Sequence, residues 1–260
     1  MNDTSSKLDA IILAAGKGTR MQSDLPKVMH EVAGRPMINW VIDASRKAGA
    51  RRIIVVIGHR GDLLRDELAG QDDIEFVEQS EQLGTGHAVD MARAAMADSP
   101  ENDVFVLCGD GPLIRPETLD ALLLKHTEDG AAATLATAII EDPGGYGRIA
   151  RDEAGNFDRI VEQKDATEEQ LAIREINPSY YCFRSGDLFE QLSRISNDNA
   201  SGEYYVTDVF RLLLDAGQGV SVVAAVPAED VLSINTLDHL SEVDSIMRNR
   251  IGETATGSQA

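Results

Sequence analysis

The stretch Leu13-Ala14-Ala15-Gly16-Lys17-Gly18-Thr19-Arg20-Met21, followed closely by Asp24-Leu25-Pro26-Lys27-Val28-Met29-His30, gathers charge against the balance of the whole chain. The 260 residues carry a formal net charge of −20. Yet Lys17, Arg20, Lys27 and Arg35 fall within a glycine-containing segment that holds only two acids, Asp24 and Glu31. Glycines let backbone N–H groups approach a ligand closely. Arg20 offers a planar fork of donors for phosphate oxygens, and Lys27 a mobile point charge. One such cation gains about 4 kcal/mol of Coulomb energy at ~4 Å with an effective dielectric of about 20. That is about three powers of ten in rate where it acts only in the transition state. A triphosphate suits the arrangement; a solvated surface loop is the plain alternative.

Two familiar phosphate loops do not fit. A dinucleotide fingerprint needs a third glycine where Met21 stands, and a helix opening at once. Here some fifteen residues of loop come first. A P-loop needs Gly-Lys-Ser/Thr at its end, and the order Gly16-Lys17-Gly18-Thr19 fails it.

The elements that must hold this loop follow from hydrophobic patterning. Asp9–Leu13, Ile53–Gly58, Ile74–Val77, Val104–Cys108 and Ala131–Ile140 read as strands. Helical patterns alternate with them at 36–48, 61–69, 86–97 and 116–126, the first and last opening at prolines. This rhythm predicts an α/β fold: a doubly wound, mainly parallel Rossmann-like sheet flanked by helices. After about 140 the texture becomes turn-rich and alternating, which predicts a smaller antiparallel lobe. Helices at 186–195 and 203–216, a strand at 219–227 and a helix at 236–250 complete the chain. A single unit over 8–250 is expected: a first part of about 8–139, the lobe at about 140–185 and a return segment of about 186–250. Residues 1–7 and 251–260 read as flexible tails. In such sheets ligands sit outside the carboxyl ends of the strands. The glycine loop, Gln79-Ser80-Glu81-Gln82-Leu83-Gly84-Thr85-Gly86-His87 and Cys108-Gly109-Asp110 all fall there.

Composition excludes some partners. Hydrophobic residues make up 43% and charged residues 26%, as in ordinary globular chains. With pI ≈ 4.5 the long-range field repels nucleic acid and anionic membranes. No run reaches the roughly 20 apolar residues of a membrane span, and the first residues lack an apolar signal region. A cytoplasmic location is expected. Cys108 and Cys182 each lie in apolar runs and read as core thiols rather than a disulfide.

Taken in order, Leu13–Met21, Asp24–His30, Gln79–Val89, Gly109–Ile114, Gly145–Ile149, Ile160–Ala166, Glu175–Asn177 and Gly202–Asp208 resemble the sugar-1-phosphate nucleotidylyltransferase family. Within it they look like the uridylyltransferase domain of bacterial bifunctional N-acetylglucosamine-1-phosphate uridylyltransferase/glucosamine-1-phosphate acetyltransferases. The resemblance spans about residues 8–245. It implies that UTP and N-acetylglucosamine-1-phosphate are the substrates, Mg2+ the cofactor, and UDP-N-acetylglucosamine and pyrophosphate the products. Position by position, it implies that Leu13, Ala14, Ala15 and Gly16 hold the nucleoside and that Gln79, Gly84 and Thr85 read uracil. Arg20 and Lys27 match the cations of the triphosphate, Asp110 and Asn235 the metal ligands, and Gly147, Glu162 and Asn177 the sugar contacts. His30 and His87 are expected to pack or to fix loops, and Tyr204 and Tyr205 to pack.

Three departures are visible. Pro178-Ser179 follows Asn177 where the family has a small pair such as Thr-Gly. Ser233-Ile234 precedes Asn235 where it has Gly-Val. No hexapeptide run for a left-handed β-helix occurs, so acetyl transfer is not expected and no trimer is assumed. Two alternatives stand beside the leading one. The same chemistry on another sugar phosphate or nucleotide, of the UDP-glucose or dTDP-glucose type, is the first. A non-catalytic sugar-nucleotide sensor is the second, disfavoured by the retention of Arg20, Lys27 and Asp110.

Overall fold

A computed structural model describes residues 8–21 and 23–257. The N-terminal segment 1–7, Gln22 and 258–260 lie outside the described residues, so the expected N-terminal tail does too. In chain order the elements are β1 (Leu8–Leu13), β2 (Glu31–Val32), β3 (Arg35–Pro36), α1 (Met37–Lys47), β4 (Arg52–Ile57), α2 (Gly61–Glu67), β5 (Ile74–Glu78), α3 (Thr85–Asp90), α4 (Arg93–Met96), β6 (Asp103–Cys108) and α5 (Pro116–Asp129). There follow β7 (Ala133–Ile139), β8 (Gly147–Arg151), β9 (Phe157–Val161), α6 (Glu168–Leu171), β10 (Glu175–Arg184), α7 (Ser185–Leu192), α8 (Asp208–Asp215), β11 (Val220–Val223) and α9 (Leu237–Gly257).

The central sheet runs β11-β7-β10-β6-β1-β4-β5. β1 pairs in parallel with β4 and β6, β4 with β5, and β7 with β11. β10 alone enters antiparallel, between β6 and β7. β8 and β9 extend antiparallel from the start of β10 and form the smaller lobe.

The central strands read as unbroken apolar runs because both sheet faces are covered. Ala10, Ile12, Ile53, Val55, Phe105 and Leu107 pack beneath α1, α5 and α9. Their alternates Ile11, Ile54, Val56, Val104 and Val106 pack on α3, α7 and α8. Each of the buried Val, Ile, Leu and Phe side chains contributes about 1.5–3 kcal/mol. Phe210 of α8 joins Tyr181 and Phe183 of β10, with ring centroids 5.2 and 5.0 Å away.

Several boundaries differ from the sequence reading. The pattern at 86–97 splits into α3 and α4. The helix expected from 203 begins at Asp208, because the backbone of Tyr204 and Val206 is bonded to Leu83 in the loop after β5 and to Thr85 and Gly86 at the start of α3. The strand expected over 219–227 is only Val220–Val223, the length that pairs with β7. The expected C-terminal tail from 251 is instead helical to Gly257, where α9 continues. The α9 residue Arg250 is anchored by a bond from Nη1 to Leu113 O at 2.9 Å. α5, expected over 116–126, continues to Asp129 and closes at Gly130, whose φ of +59° suits a left-handed helix end.

Candidate active site

The site lies at the carboxyl ends of β1 and β6. Leu13 and Cys108 are register partners there, and Gly109 N–H donates to Leu13 O at 2.9 Å. Beyond Leu13 the chain stays extended long enough for Ala14 N–H to reach Val56 O at 2.9 Å. It then turns at Gly18, φ +59°. A Cβ on Gly18 would lie 2.7 Å from Lys27 Cβ. Glycine therefore serves twice here, by its left-handed backbone and by letting the two limbs of the loop touch.

That contact sets Lys27 under Asp110. Lys27 Nζ pairs directly with Asp110 Oδ2 and donates to Asn235 Oδ1 at 2.9 Å. Arg20 Nη2 donates to the same Asn235 oxygen, also at 2.9 Å. Asn235 is itself fixed: Nδ2 donates to Ser233 Oγ at 3.2 Å, and Ile234 N–H donates to Asp110 O at 3.1 Å. Arg20, Lys27, Asp110 and Asn235, from four separate segments, thus meet at one point. Arg35 does not join them. Its guanidinium lies 4.5 Å from the Trp40 ring centroid and pairs with Asp43 at 2.8 Å.

Two cavities meet at Asp110. One, of about 250 Å3, is lined by Leu13, Ala14, Ala15 and Gly16 on one side, and by Gln79, Gly84 and Thr85 on the other. The second, of about 200 Å3, is lined by Gly147, Glu162, Asn177, Ser179 and Asn235. Cys108 and Asp110 line both. Cys108 is therefore part of the cleft floor, not a core thiol as expected; Cys182 is buried and both thiols are free. Burial and the neighbouring Asp110 push the Cys108 thiol up to about 12, so it is no thiolate nucleophile.

The wall of the first cavity is tied to a distant segment. Tyr204 N–H donates to Leu83 O at 2.8 Å and Gly86 N–H to Tyr204 O at 2.7 Å. Val206 N–H donates to Thr85 Oγ1 at 3.1 Å. Tyr204 thus acts through its backbone, where sequence reasoning gave its ring a packing role. Gln79, 3% exposed, donates from Nε2 to Gly84 O at 3.1 Å and to His87 Nδ1 at 3.0 Å. His87 fixes a loop, as its place in the motif indicates. Burial lowers the pKa of His30 and so disfavours its charged form.

Beside the second cavity a Cβ on Gly147 would come within 2.9 Å of Ile160 Cγ2 and 3.6 Å of Asn177 Cβ and Glu162 Oε2, so glycine lets these side chains close on the backbone there. Glu162 accepts from Thr207 Oγ1 at 2.9 Å. Burial, chiefly, holds its carboxyl above the usual range, and Asp208, Asp165 and Glu203 add to the shift. Asn177 is 4% exposed and already occupied: Nδ2 donates to Tyr181 Oη at 2.7 Å and Oδ1 accepts from Ser179 N–H at 3.0 Å. That second bond supports Ser179 in a left-handed conformation, φ +67°, at a break in the β10–β7 register. Pro178-Ser179 therefore makes a bulge on the cavity rim.

The metal reading can be tested on this geometry. Asp110 Oδ2 and Asn235 Oδ1 both face one ammonium, Lys27 Nζ. Two hard oxygens converging on one small cation fit Mg2+, which takes few protein ligands and completes its shell with water and phosphate. Among the described residues no group of three or more His, Cys, Asp and Glu side chains could hold a metal on its own. No helix among them is long and apolar enough to cross a membrane.

Sequence comparison decides the family. The profile of the MobA-like NTP transferase domain matches residues 10–206, which include Arg20, Lys27, Asp110 and the residues named for the first cavity, but not Asn235. The chain belongs to this family. Curated relatives of the family member include the bifunctional protein GlmU of Bacillus cereus, 48% identical over 242 residues, and that of Bacillus anthracis at the same identity. Each alignment covers 93% of this chain and 52% of the relative, so the chain spans about half the length of the curated relatives it matches. The fold of this NTP transferase is shared with the crystal structure of UDP-glucose pyrophosphorylase complexed with UDP-glucose: TM-score 0.76, 17% identity, 93% of this chain and 98% of that one. The apo form of that enzyme matches equally, over 94% and 99%.

Proposed function

We propose that the protein transfers a uridylyl group from UTP to N-acetylglucosamine-1-phosphate, releasing pyrophosphate and forming UDP-N-acetylglucosamine. The observation that carries this reading is the meeting of Arg20, Lys27, Asp110 and Asn235 where two cavities adjoin. Transfer between two bound phosphates needs such a boundary. The alignment with the GlmU proteins supports the choice of substrates.

In the reaction an oxygen of the sugar phosphate, already ionised at neutral pH, attacks the α-phosphorus of UTP. The bond from that phosphorus to the α,β-bridging oxygen breaks, and its electron pair leaves with pyrophosphate. No side chain need become a nucleophile or base. The protein's contribution is alignment and neutralisation of charge. Leu13 to Gly16 seat the nucleoside by backbone, while Gln79, Gly84 and Thr85 read its base. Lys27, at the boundary, faces the transferring phosphate, and Arg20 faces the phosphates that depart. Enzymes of this kind are generally metal-dependent. Asp110 and Asn235 would hold Mg2+, which when bound offsets charge on the triphosphate.

Gly147, Glu162 and Asn177 form the sugar side. Asn177 keeps one amide hydrogen and one lone pair beyond its internal bonds. That commitment favours a second reading, the same chemistry on another sugar-1-phosphate, in which the acetamido group is not the main determinant. A panel of UTP, dTTP, CTP and ATP against N-acetylglucosamine-, glucose- and galactosamine-1-phosphates separates the two. Fastest turnover with UTP and N-acetylglucosamine-1-phosphate supports the first; faster turnover with glucose-1-phosphate overturns it.

A further inference from the structure

His87 is half-buried on α3, outside every role assigned above except loop fixing. Its placement has a consequence for Gln79, which lines the nucleoside cavity. The Gln79 amide nitrogen has two hydrogens. Gly84 O, 3.1 Å away, can only accept, so it takes one of them and sets which end of the amide is nitrogen. His87 Nδ1, 3.0 Å away, takes the other, so the ring carries its proton on Nε2. Both donors are then spent inside the protein. What remains for a ligand is the amide oxygen, which accepts no hydrogen bond among the described residues.

We propose that His87 is a positioning residue for base selectivity: by accepting from Gln79 Nε2 it locks the amide oxygen toward the base, so that the site accepts from an imide N–H. Uracil and thymine present that N–H. The corresponding ring nitrogen of cytosine carries a lone pair, which repels the amide oxygen. A flipped amide would offer –NH2 instead and welcome cytosine. Gly84 O opposes the flip alone once His87 no longer accepts, so the discrimination becomes weaker without being abolished. One neutral hydrogen bond is worth about tenfold in such a balance. The inference rests on the proposed placement of the base against Gln79, and its test keeps the two apart.

The test compares kcat/KM for UTP and CTP in wild type, His87→Leu and His87→Asn. The leucine cannot accept; the asparagine oxygen can stand near the position of Nδ1. The UTP-to-CTP ratio is expected to fall about tenfold in His87→Leu, carried by KM, and to stay within about threefold of wild type in His87→Asn. An unchanged ratio in His87→Leu, or an equal loss in both variants, overturns the proposal. Should His87→Leu not fold, as judged by circular dichroism, His87→Phe, which likewise lacks an acceptor atom, replaces it under the same criteria. Should the wild type turn over no nucleotide, the functional reading fails. Calorimetric dissociation constants for UTP and CTP then decide the His87 proposal by the same ratios.

Discussion

Lys27 Nζ donates to Asn235 Oδ1 at 2.9 Å across 208 positions of sequence, and the same ammonium pairs with Asp110. One cation thus closes a circuit between the glycine loop, the end of β6 and the segment before α9. Losing any of the three partners should affect chemistry more than folding, because the groups are partly exposed and the pairs lie at the cleft surface.

Lys27→Ala is expected to lower kcat by about 10²–10³, the usual loss for one preorganised donor to transition-state charge. UTP should still bind. Pyrophosphate release and equilibrium binding on the same preparation check both. Undiminished kcat would remove Lys27 from the transferring phosphate.

Asp110→Ala is expected to abolish turnover while the cooperative melt survives. The aspartate accepts from Ile234 through its backbone oxygen, which the substitution keeps. A variant that loses its thermal transition would mark Asp110 as a structural acid.

Gly18→Ala places a Cβ 2.7 Å from Lys27 Cβ and forces a non-glycine residue to φ +59°. The strain costs about 1–3 kcal/mol, and Lys27 must move to relieve the contact. Urea denaturation should show the loss, and kcat should fall beyond what stability explains. Wild-type kcat would show that the close approach is dispensable.

Glu162 has a pH signature. Burial raises its folded pKa above the unfolded value of about 4.3. The native state therefore binds the proton more tightly, and its stability falls as pH rises from about 4.3 through the folded value. Glu162→Gln removes that slope while leaving an acceptor for Thr207. The variant should melt above wild type at pH 7, and the gap should close near pH 4. KM for the sugar phosphate should rise about tenfold, with KM for UTP unchanged. A gap that widens toward acid would contradict the assignment.

Asp230, 1% exposed, ties the site to the end of α9. It pairs with Arg115 and Arg250, and its backbone oxygen accepts from Tyr180 Oη at 3.3 Å. Asp230→Ala leaves two guanidinium groups without this carboxylate and should cost about 3–5 kcal/mol. Chemical denaturation measures it; a loss under 1 kcal/mol would show the cluster to be screened.

Most of the scaffold could be read from apolar runs, because β1, β4 and β6 are covered on both faces and carry little else. The convergence of the glycine loop with Asp110 followed from strand ends in a parallel sheet. Other features had no local signal. Tyr204 contributes its backbone to the wall of the first cavity, a role its residue type does not announce. Thr207 gains meaning from Glu162, 45 positions away, and Asp230 from Arg115 and Arg250, 115 and 20 positions away. Arg35 looked like a site cation because it is close in sequence, but β3 leads it to Trp40 and Asp43 instead. The end of α9 was misjudged since its polar, small-residue sequence hides the anchoring by Arg250.

Pyrophosphate release from UTP and N-acetylglucosamine-1-phosphate, with and without Mg2+, tests the central claim most directly. The account predicts one pyrophosphate per UDP-N-acetylglucosamine, only when both substrates and the metal are present. Tight binding of UTP with no pyrophosphate under any of these conditions would contradict it and leave a sugar-nucleotide sensor.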